Sequence, residues 1–443
     1  MNTPICSFLD KYASDDNLRL HMPGHKGIGG LSERYDLTEI SGADSLYEAS
    51  GIIKESEENA SLLFGSRTFY STEGSSLAIR AMLYLALLTK TDNDRPLIIA
   101  GRNAHKVFIS AAALLDLDIE WITGKDYSYL CTTVSADALS QKLKSMPKKP
   151  LAVYLTSPDY LGNVSEISEI ANVCHNSGVL LLIDNAHGAY LAFTNPSMHP
   201  IKLGADMCAD SAHKTLPCLT GAAYLHLSNS IPENIAARAK SALSLFGSTS
   251  PSYLILASLD KANAYLADGY TDKLVALESR LASMRKHLEQ FGYKTVGNEP
   301  MKLTIAPKSY GYTGYELYNI LSDNNIISEF CDPDFLVLMP TPQIGSEDLD
   351  RLEKILTSLP RREQIDELPP PMTLPQRILT PREAVLSDSE TVDVSEAHGR
   401  VLADITVGCP PAVPIVVSGE KIDESAIRAF KYYGITKCSV IKK

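Results

Sequence analysis

Short apolar runs alternate with longer amphipathic stretches through the first 300 residues of the chain. The short runs are rich in β-branched residues and leucine, which is typical of strands buried on both faces of a parallel sheet. The predicted strands are residues 97–100, 151–155, 179–183, 204–209 and 221–227. The predicted helices are residues 52–64, 77–88, 107–115, 166–176, 234–244 and a long one from 253 to beyond 281. This alternation predicts an α/β fold with a mainly parallel sheet and helices on both faces.

The pattern changes twice in the last third of the chain. A strand–helix–strand–helix pattern at 303–305, 315–324, 335–338 and 349–358 predicts a small α/β domain. A proline-rich, charged stretch without periodicity then predicts a linker, and short apolar runs near the end predict a small α+β module. The predicted division is 1–258 for an N-terminal arm and large domain, 259–360 for the small domain, 361–380 for the linker and 381–443 for the terminal module.

Composition narrows the classes of function. Of the 443 residues, 44% are hydrophobic and 21% charged, with a net charge of −12, as expected of a globular protein. Because no basic cluster stands out, we expect neither nucleic acid nor an anionic membrane as a partner. The eight cysteines are scattered, without Cys-x-x-Cys pairs or zinc-like spacing, so we expect no metal site and a reducing cytoplasm. We find no signal pattern at the N-terminus and no apolar stretch of bilayer length.

An acid and a lysine follow two of the predicted strands. Asp184 ends the run 179–183, and Lys214 lies just beyond the run 204–209. In open α/β sheets functional groups collect at the carboxyl ends of strands. A lysine amine that forms a Schiff base with an aldehyde, together with a carboxylate that keeps a pyridine nitrogen protonated, suits pyridoxal phosphate (PLP). Taken alone, Lys214 is readily explained as a surface lysine, and Asp184 as a turn or helix-capping residue.

Two further places fit a cofactor site but also have plainer explanations. Before a buried helix stand Gly74, Ser75 and Ser76, which resemble a phosphate site in outline, although taken alone they are better explained by a plain serine N-cap. His105 follows the strand 97–100 and starts a helix, where it is either a cap or a ring that stacks on a flat cofactor. The Ser/Thr-rich loop 246–252 offers hydroxyls to a phosphate or caps the next helix.

Taken together, these residues resemble a known family. The motifs are Ser-x-His-Lys-Thr-Leu-Pro at 211–217, Asp-x-Ala-His-Gly at 184–188, Arg-Asn-x-His-Lys at 102–106, His-Met-Pro-Gly-His-Lys at 21–26, Phe-Gly-Ser-Thr-Ser-Pro-Ser-Tyr at 246–253 and Pro-Pro-Ala-Val-Pro with Ser-Gly-Glu at 410–420. In this order they resemble the ornithine/lysine/arginine decarboxylases, which are PLP-dependent enzymes of the aspartate-aminotransferase fold type (fold type I). The resemblance runs from about residue 20 to residue 420, in a short form without an N-terminal wing domain.

The resemblance implies a role for each matching residue. Lys214 would carry the Schiff base, Asp184 would pair with the pyridine nitrogen and His105 would stack on the ring. Gly74, Ser75 and Ser76 would bind the phosphate, Ser211 and His213 would line the phosphate side, and His187 would lie against the cofactor near Asp184. It also implies an active site at a subunit interface, and therefore a homodimer or a larger homo-oligomer.

Three departures from the family pattern bear on cofactor and substrate. Glu73 stands where the family usually has Asn, which places a negative charge near a phosphate. Asn185 replaces a common Glu. The terminal motif has Ala412 and Ser418 where the family usually has Gly and Pro, which raises the question of a different substrate.

The expected reaction is the α-decarboxylation of an amino acid, arginine, lysine or ornithine, to an amine and CO₂. A basic substrate side chain requires a carboxylate partner. We name Asp44 and Glu420 as candidates, with Glu48, Glu329 and Asp332 as further ones. Two alternatives stay open at this point: another fold type I PLP enzyme, such as an aminotransferase or a lyase, and a relative that binds PLP without catalysis.

Overall fold

The computed structural model describes residues 1–15, 17–91, 93–124, 127–409 and 413–442. These residues form two units that interleave along the chain. The first unit comprises Met1–Asp92 with Ile167–Lys273, and the second comprises Asn93–Glu166 with Leu274–Lys443. This division follows contacts in space, and the predicted boundaries at 258, 360 and 380 stay a prediction. Among the described residues, none of the helices combines the length and the apolar character that crossing a bilayer requires.

The elements alternate along most of the chain. The helices are α1 (Pro4–Ser14), α2 (Ile52–Phe64), α3 (Gly74–Leu87), α4 (Lys106–Leu115), α5 (Ala136–Ser145), α6 (Ile167–Asn176), α7 (Ala212–Thr215), α8 (Glu233–Ala236), α9 (Ala239–Phe246), α10 (Tyr253–Ala267), α11 (Tyr270–Phe291), α12 (Gly314–Asp323), α13 (Ser346–Ser358), α14 (Pro381–Val385) and α15 (Glu424–Tyr432). The strands are β1 (Arg67–Ser71), β2 (Leu97–Gly101), β3 (Asp118–Ile122), β4 (Ala152–Thr156), β5 (Leu180–Asp184), β6 (Met207–Asp210), β7 (Ala223–Leu227), β8 (Lys294–Val296), β9 (Leu303–Ala306), β10 (Phe330–Cys331), β11 (Leu336–Leu338), β12 (Ser389–Asp393), β13 (Thr406–Cys409), β14 (Val413–Val417) and β15 (Lys437–Ile441).

In the first unit, four strands lie side by side in the order β1-β7-β6-β5. β5 and β6 are parallel, whereas β7 is antiparallel to both β6 and β1. Helix α3 packs on β5, β6 and β7, and most of its residues are buried because its sequence is apolar on nearly every side. This packing fixes where the first turn of α3 meets the ends of the strands.

In the second unit, β4, β2 and β3 lie side by side in that order and are parallel. A separate antiparallel sheet has the order β10-β11-β9-β8, and the strand pairs β12–β15 and β13–β14 lie near the C-terminus. Apolar residues of these C-terminal elements, such as Ile415, Phe430 and Val440, belong to one buried cluster with Leu130 and Phe335. Among the described residues between α13 and α14 there is no helix or longer strand.

The hydrophobic pattern predicted most of these elements. Helix α2 has the predicted bounds 52–64, and the buried strands lie within three residues of their predicted bounds. The long helix predicted from residue 253 is wrong, because the chain breaks between α10 and α11 at Gly269, whose φ of 65° is left-handed. The helix predicted at 234–244 is likewise two shorter helices, α8 and α9.

A buried ion pair ties β2 to the C-terminal module within the second unit. Arg102 follows β2, and its Nη1 and Nη2 donate to Oε1 and Oε2 of Glu420 over 2.7 and 2.8 Å. The Arg102 guanidinium also lies over the Trp121 ring, 4.7 Å from its centroid. Because both charged side chains are nearly inaccessible, each carries a large desolvation cost that the opposite charge offsets.

We predict that Glu420→Gln destabilises the protein strongly. The amide keeps the shape of the side chain but leaves a buried guanidinium without its counter-charge, so the free energy of unfolding should fall by about 3–5 kcal/mol. Urea unfolding followed by circular dichroism measures it. The matched control is Glu390→Gln, which removes an exposed partner of Arg400 and should cost less than about 1 kcal/mol. Equal losses in the two variants would contradict the assignment.

Candidate active site

The acid and the lysine singled out by the sequence lie at the ends of two neighbouring parallel strands. Asp184 is the last residue of β5 and pairs with Ala209 of β6. Its side chain is buried, and Oδ1 accepts a hydrogen bond from the amide of Ala186 at 3.2 Å. β6 ends at Asp210, and the short helix α7 that follows carries Lys214. Both groups therefore reach the same edge of the sheet.

The Lys214 amine lies beside an imidazole. The distance from Lys214 Nζ to His187 Nε2 is 3.1 Å, and His187 is buried in the turn after β5. Lys214 is half-buried, and its backbone amide donates to the Ser211 carbonyl at 3.1 Å. The arrangement places a nucleophilic amine within hydrogen-bond distance of an imidazole, a group that can act as an acid or a base in catalysis.

The Gly-Ser-Ser segment forms the first turn of α3. Gly74 opens the helix with a φ of 71°, and a Cβ built there meets no atom within 4 Å. Ser211 Oγ donates to Ser75 Oγ at 2.7 Å, so the hydroxyls after β6 and at the start of α3 meet, and Ser76 lies half-buried beside them. The N-cap residue is Glu73, whose side chain makes no capping hydrogen bond, so the explanation of these serines as a plain N-cap is wrong.

Glu73, the first departure from the family pattern, has a partner in the loop 246–252. Its Oε1 accepts a hydrogen bond from the Ser248 amide at 2.6 Å. The carboxylate is exposed and so stays partly hydrated. Glu73 therefore anchors that loop through a hydrogen bond from the Ser248 amide to its carboxylate.

His213 and His105 have backbone partners. His213 Nδ1 lies 2.9 Å from the Ala222 carbonyl, which orients the ring just before Lys214. His105 belongs to the second unit, where it is the N-cap of α4 and its Nδ1 accepts from the Val107 amide at 3.2 Å. The capping explanation of His105 is confirmed, and its stacking on a cofactor ring stays a prediction.

The two acids named as substrate partners are already engaged. Asp44 Oδ2 accepts from the amides of Gly51 and Ile53 at 2.7 and 3.2 Å, at the start of α2. Burial works against its ionised form, but these and neighbouring amides outweigh it and lower the pKa of Asp44. The Glu420 carboxylate is bound by Arg102 and by the Val417 amide. These contacts give both acids structural partners.

The residues of the first unit fit PLP by their chemistry. An open helix N-terminus with adjacent hydroxyls binds a phosphate, a buried carboxylate suits a protonated ring nitrogen, and a lysine amine suits an aldehyde. Gly74 leaves room for close approach of an anion to the backbone. The terminal motif stays partly outside this description, because Pro410, Pro411 and Ala412 lie outside the described residues.

Comparison with known proteins agrees with this assignment. Residues 3–295 match the model of the Orn/Lys/Arg decarboxylase major domain, and residues 361–439 match that family's C-terminal domain. The chain is 31% identical to the uncharacterized protein YaaO of Bacillus subtilis (strain 168), over 97% of this chain and 93% of YaaO. It is 30% identical to the arginine decarboxylase of the same strain, over 96% and 92% of the two chains.

Solved structures show the same fold. The Francisella novicida lysine decarboxylase LdcF superposes with a TM-score of 0.82 at 18% identity, covering 99% of this chain and 81% of that chain. A NifS-like protein superposes with a TM-score of 0.56 over 71% of this chain and 90% of that chain, at 14% identity. The expected α/β fold of the PLP-dependent transferase type is confirmed.

We predict that Asp44→Asn weakens the protein at neutral pH and less so in acid. Loss of the charge at the start of α2 should lower the free energy of unfolding by about 1–2 kcal/mol at pH 7. Because the folded pKa of Asp44 is lowered, its stabilisation is present above the unfolded pKa of about 4 and is lost as the pH falls through the folded value.

Thermal unfolding of both proteins between pH 7 and pH 3 measures this difference. Asp10→Asn is the matched control, because Asp10 is an exposed aspartate within α1. A gap between wild type and Asp44→Asn that stays constant or widens as the pH falls would contradict the capping role.

Proposed function

The chain belongs to the Orn/Lys/Arg decarboxylase family and is an amino-acid decarboxylase, and we propose that it acts on arginine, lysine or ornithine with PLP as its cofactor. The relation to proteins named arginine decarboxylase supports a basic substrate. The observation that carries the proposal is that Asp184 ends β5 and Lys214 follows the neighbouring strand β6, while Ser211 is hydrogen-bonded to Ser75 at the N-terminus of α3.

We assign the cofactor-binding roles to residues of the first unit. Gly74, Ser75, Ser76 and Ser211 would hold the phosphate, since their amides and hydroxyls converge at one helix N-terminus. The buried Asp184 carboxylate would pair with the protonated ring nitrogen, and Lys214 would hold the cofactor aldehyde. His213, fixed by the Ala222 carbonyl, would line the phosphate side. The stacking role of His105, a residue of the second unit, is proposed from the family resemblance alone.

The protein groups supply orientation and proton transfer. When bound, PLP provides a ring that accepts the electron pair left at Cα as CO₂ departs. His187 Nε2 and Lys214 Nζ, 3.1 Å apart, are the groups that we propose to hold and move the proton that Cα gains. The buried Asp184 carboxylate would stabilise a positive partner more strongly than it would in water.

Recognition of a basic substrate side chain requires an acidic residue of the chain as its partner. Asp44 and Glu420, proposed at first as partners of a basic side chain, are bound by backbone amides and by Arg102. We therefore rank Glu329, which accepts a hydrogen bond from the Tyr160 hydroxyl at 2.9 Å, above them. Glu329 is exposed, and neither a buried cation nor a set of backbone amides among the described contacts binds its carboxylate.

The remaining features of the enzyme are also proposals. We propose a homodimer or larger homo-oligomer in the cytoplasm, with a small-molecule amino acid as substrate and neither nucleic acid nor membrane as a partner. The chain-order division at 258, 360 and 380 is proposed for the domains, and the start of the C-terminal domain match at residue 361 supports the boundary at 360.

We predict that borohydride reduction of the protein incubated with PLP labels Lys214. Reduction makes the bond between lysine and cofactor permanent, so peptide mapping by mass spectrometry should find the pyridoxyl group on the peptide that contains residue 214. Lys214→Ala should lose the label, whereas Lys261→Ala, which removes an exposed lysine of α10, should keep it. A label spread over surface lysines, or absent from residue 214, would overturn the cofactor assignment.

We also predict amine formation from a basic amino acid. Incubation of the PLP-loaded protein with arginine, lysine and ornithine, each alone, should release CO₂ and the matching amine in equal amounts for at least one of them. Lys214→Ala should show no turnover above background. Keto-acid formation without CO₂ would favour an aminotransferase, and no product despite a labelled Lys214 would favour a binding protein without catalysis.

A further inference from the structure

A second cluster of reactive side chains lies on one face of β6 and β7. Cys208 and Asp210 are two residues apart on β6, so they point to the same face of the sheet. His226 of β7 is the direct antiparallel partner of Cys208 and points to that face as well. His199 reaches the same place from the loop that follows the 3-10 helix at Ala189–Phe193.

The ligand-type atoms of this cluster converge. His199 Nε2 and His226 Nε2 lie 3.0 and 3.2 Å from Asp210 Oδ2. Cys208 Sγ lies 3.3 Å from Asp210 Oδ1. One ligand atom from each of His199, Cys208 and Asp210 lies within 4.8 Å of the others. A thiol, a carboxylate and one imidazole therefore converge, and the His226 imidazole contacts the same carboxylate from β7.

The surroundings are those of a closed site. All four side chains have no accessible surface. The Phe64 ring covers the two imidazoles, with centroid distances of 5.5 Å to His199 and 4.6 Å to His226. His226 Nδ1 lies 2.9 Å from Thr68 Oγ1, the kind of second contact that holds a metal-binding imidazole in one orientation.

We propose that His199, Cys208, Asp210 and His226 form a structural zinc site. The ligand set combines nitrogen, sulfur and oxygen in the number that Zn²⁺ prefers. Zinc–ligand bonds of about 2.0–2.3 Å place neighbouring ligand atoms of a tetrahedron roughly 3.3–3.8 Å apart. The three separations measured to the Asp210 oxygens, 3.0, 3.2 and 3.3 Å, lie within about half an ångström of these values. His226 lies outside the group of three whose ligand atoms are all within 4.8 Å of one another, so it has to move toward Cys208 and His199 to become the fourth ligand.

The charges balance when zinc binds. Zn²⁺ displaces the proton of the Cys208 thiol and bonds to the thiolate, the proton leaves to solvent, and no electron is transferred. Two neutral imidazoles, one thiolate and the Asp210 carboxylate then neutralise the ion. Burial lowers the pKa of His226 and so keeps its imidazole neutral, and burial together with Asp210 raises the pKa of the Cys208 thiol, so one proton is released on binding. Burial opposes the ionised form of Asp210, but the two histidines lower its pKa.

The site stands independently of the proposed decarboxylase function. Asp210 Oδ1 also accepts from Asn185 Nδ2 at 2.8 Å, which connects the cluster to the residue after Asp184. The sequence predicted no metal site because the cysteines lack zinc-like spacing. The four side chains meet only through strand register, which sequence spacing does not reveal.

Metal analysis of the purified protein tests the site. The PLP-loaded protein, produced in zinc-supplemented medium and dialysed against EDTA, should retain about one zinc per chain by plasma mass spectrometry. Cys208→Ser should lower that content at least about tenfold. The matched control is Cys174→Ser, because Cys174 is equally buried and also lies near an aspartate, Asp206. It should keep the full content.

Refolding the wild type with Co²⁺ gives a second readout that needs no variant. A thiolate-to-cobalt charge-transfer band in the near ultraviolet, at one cobalt per chain, would support the site even where Cys208→Ser fails to fold. Less than about 0.1 equivalent of any transition metal in wild type refolded with excess zinc would overturn the proposal. Zinc retained in full by folded Cys208→Ser, or cobalt bound without that band, would overturn it equally.

Discussion

The parallel pairing of β5 with β6 is the constraint on which both sites of the first unit depend. It sets Asp184 opposite Ala209, and the Asn185 amide donates to the Ala209 carbonyl at 3.0 Å just beyond the pair. Because side chains alternate between faces, a slip of one residue would exchange every group on β6 between the two faces. It would also remove Lys214 from the end of β5. The same register therefore determines the positions of Lys214 and of the buried side chains of Cys208 and Asp210.

Helix α3 adds the anion-binding element to this frame. Its apolar body packs on β5, β6 and β7, and the Gly74 amide donates to the Gly221 carbonyl at 2.8 Å, so its first turn cannot drift from the strand ends. The free amides of that turn carry a partial positive charge. An exposed Glu73 at the N-cap is compatible with this field, because a carboxylate there is stabilised by the helix and by the Ser248 amide.

Local patterns predicted the buried strands, helix α2 and the pair Asp184 and Lys214, because each depends on residues close in sequence. They missed α1, whose buried positions are only Ile5 and Leu9, and β1, a largely polar strand that exists through its pairing with β7. They also misjudged Glu420, whose partner Arg102 is 318 residues away. Which counter-charge an acid meets is decided by tertiary contacts, so sequence alone left its role open.

Two of the buried carboxylates, Glu420 and Asp210, differ in the charges that surround them. Glu420 faces the permanent cation of Arg102, so its pair is closed and serves stability. Asp210 faces two imidazoles, a thiol and the amide of Asn185, none of which is a permanent cation. Burial lowers the pKa of His226 and so works against the protonation that would balance the charge. A divalent cation held by these nitrogen, sulfur and oxygen atoms would balance the buried Asp210 carboxylate, whereas Glu420 is already balanced by Arg102.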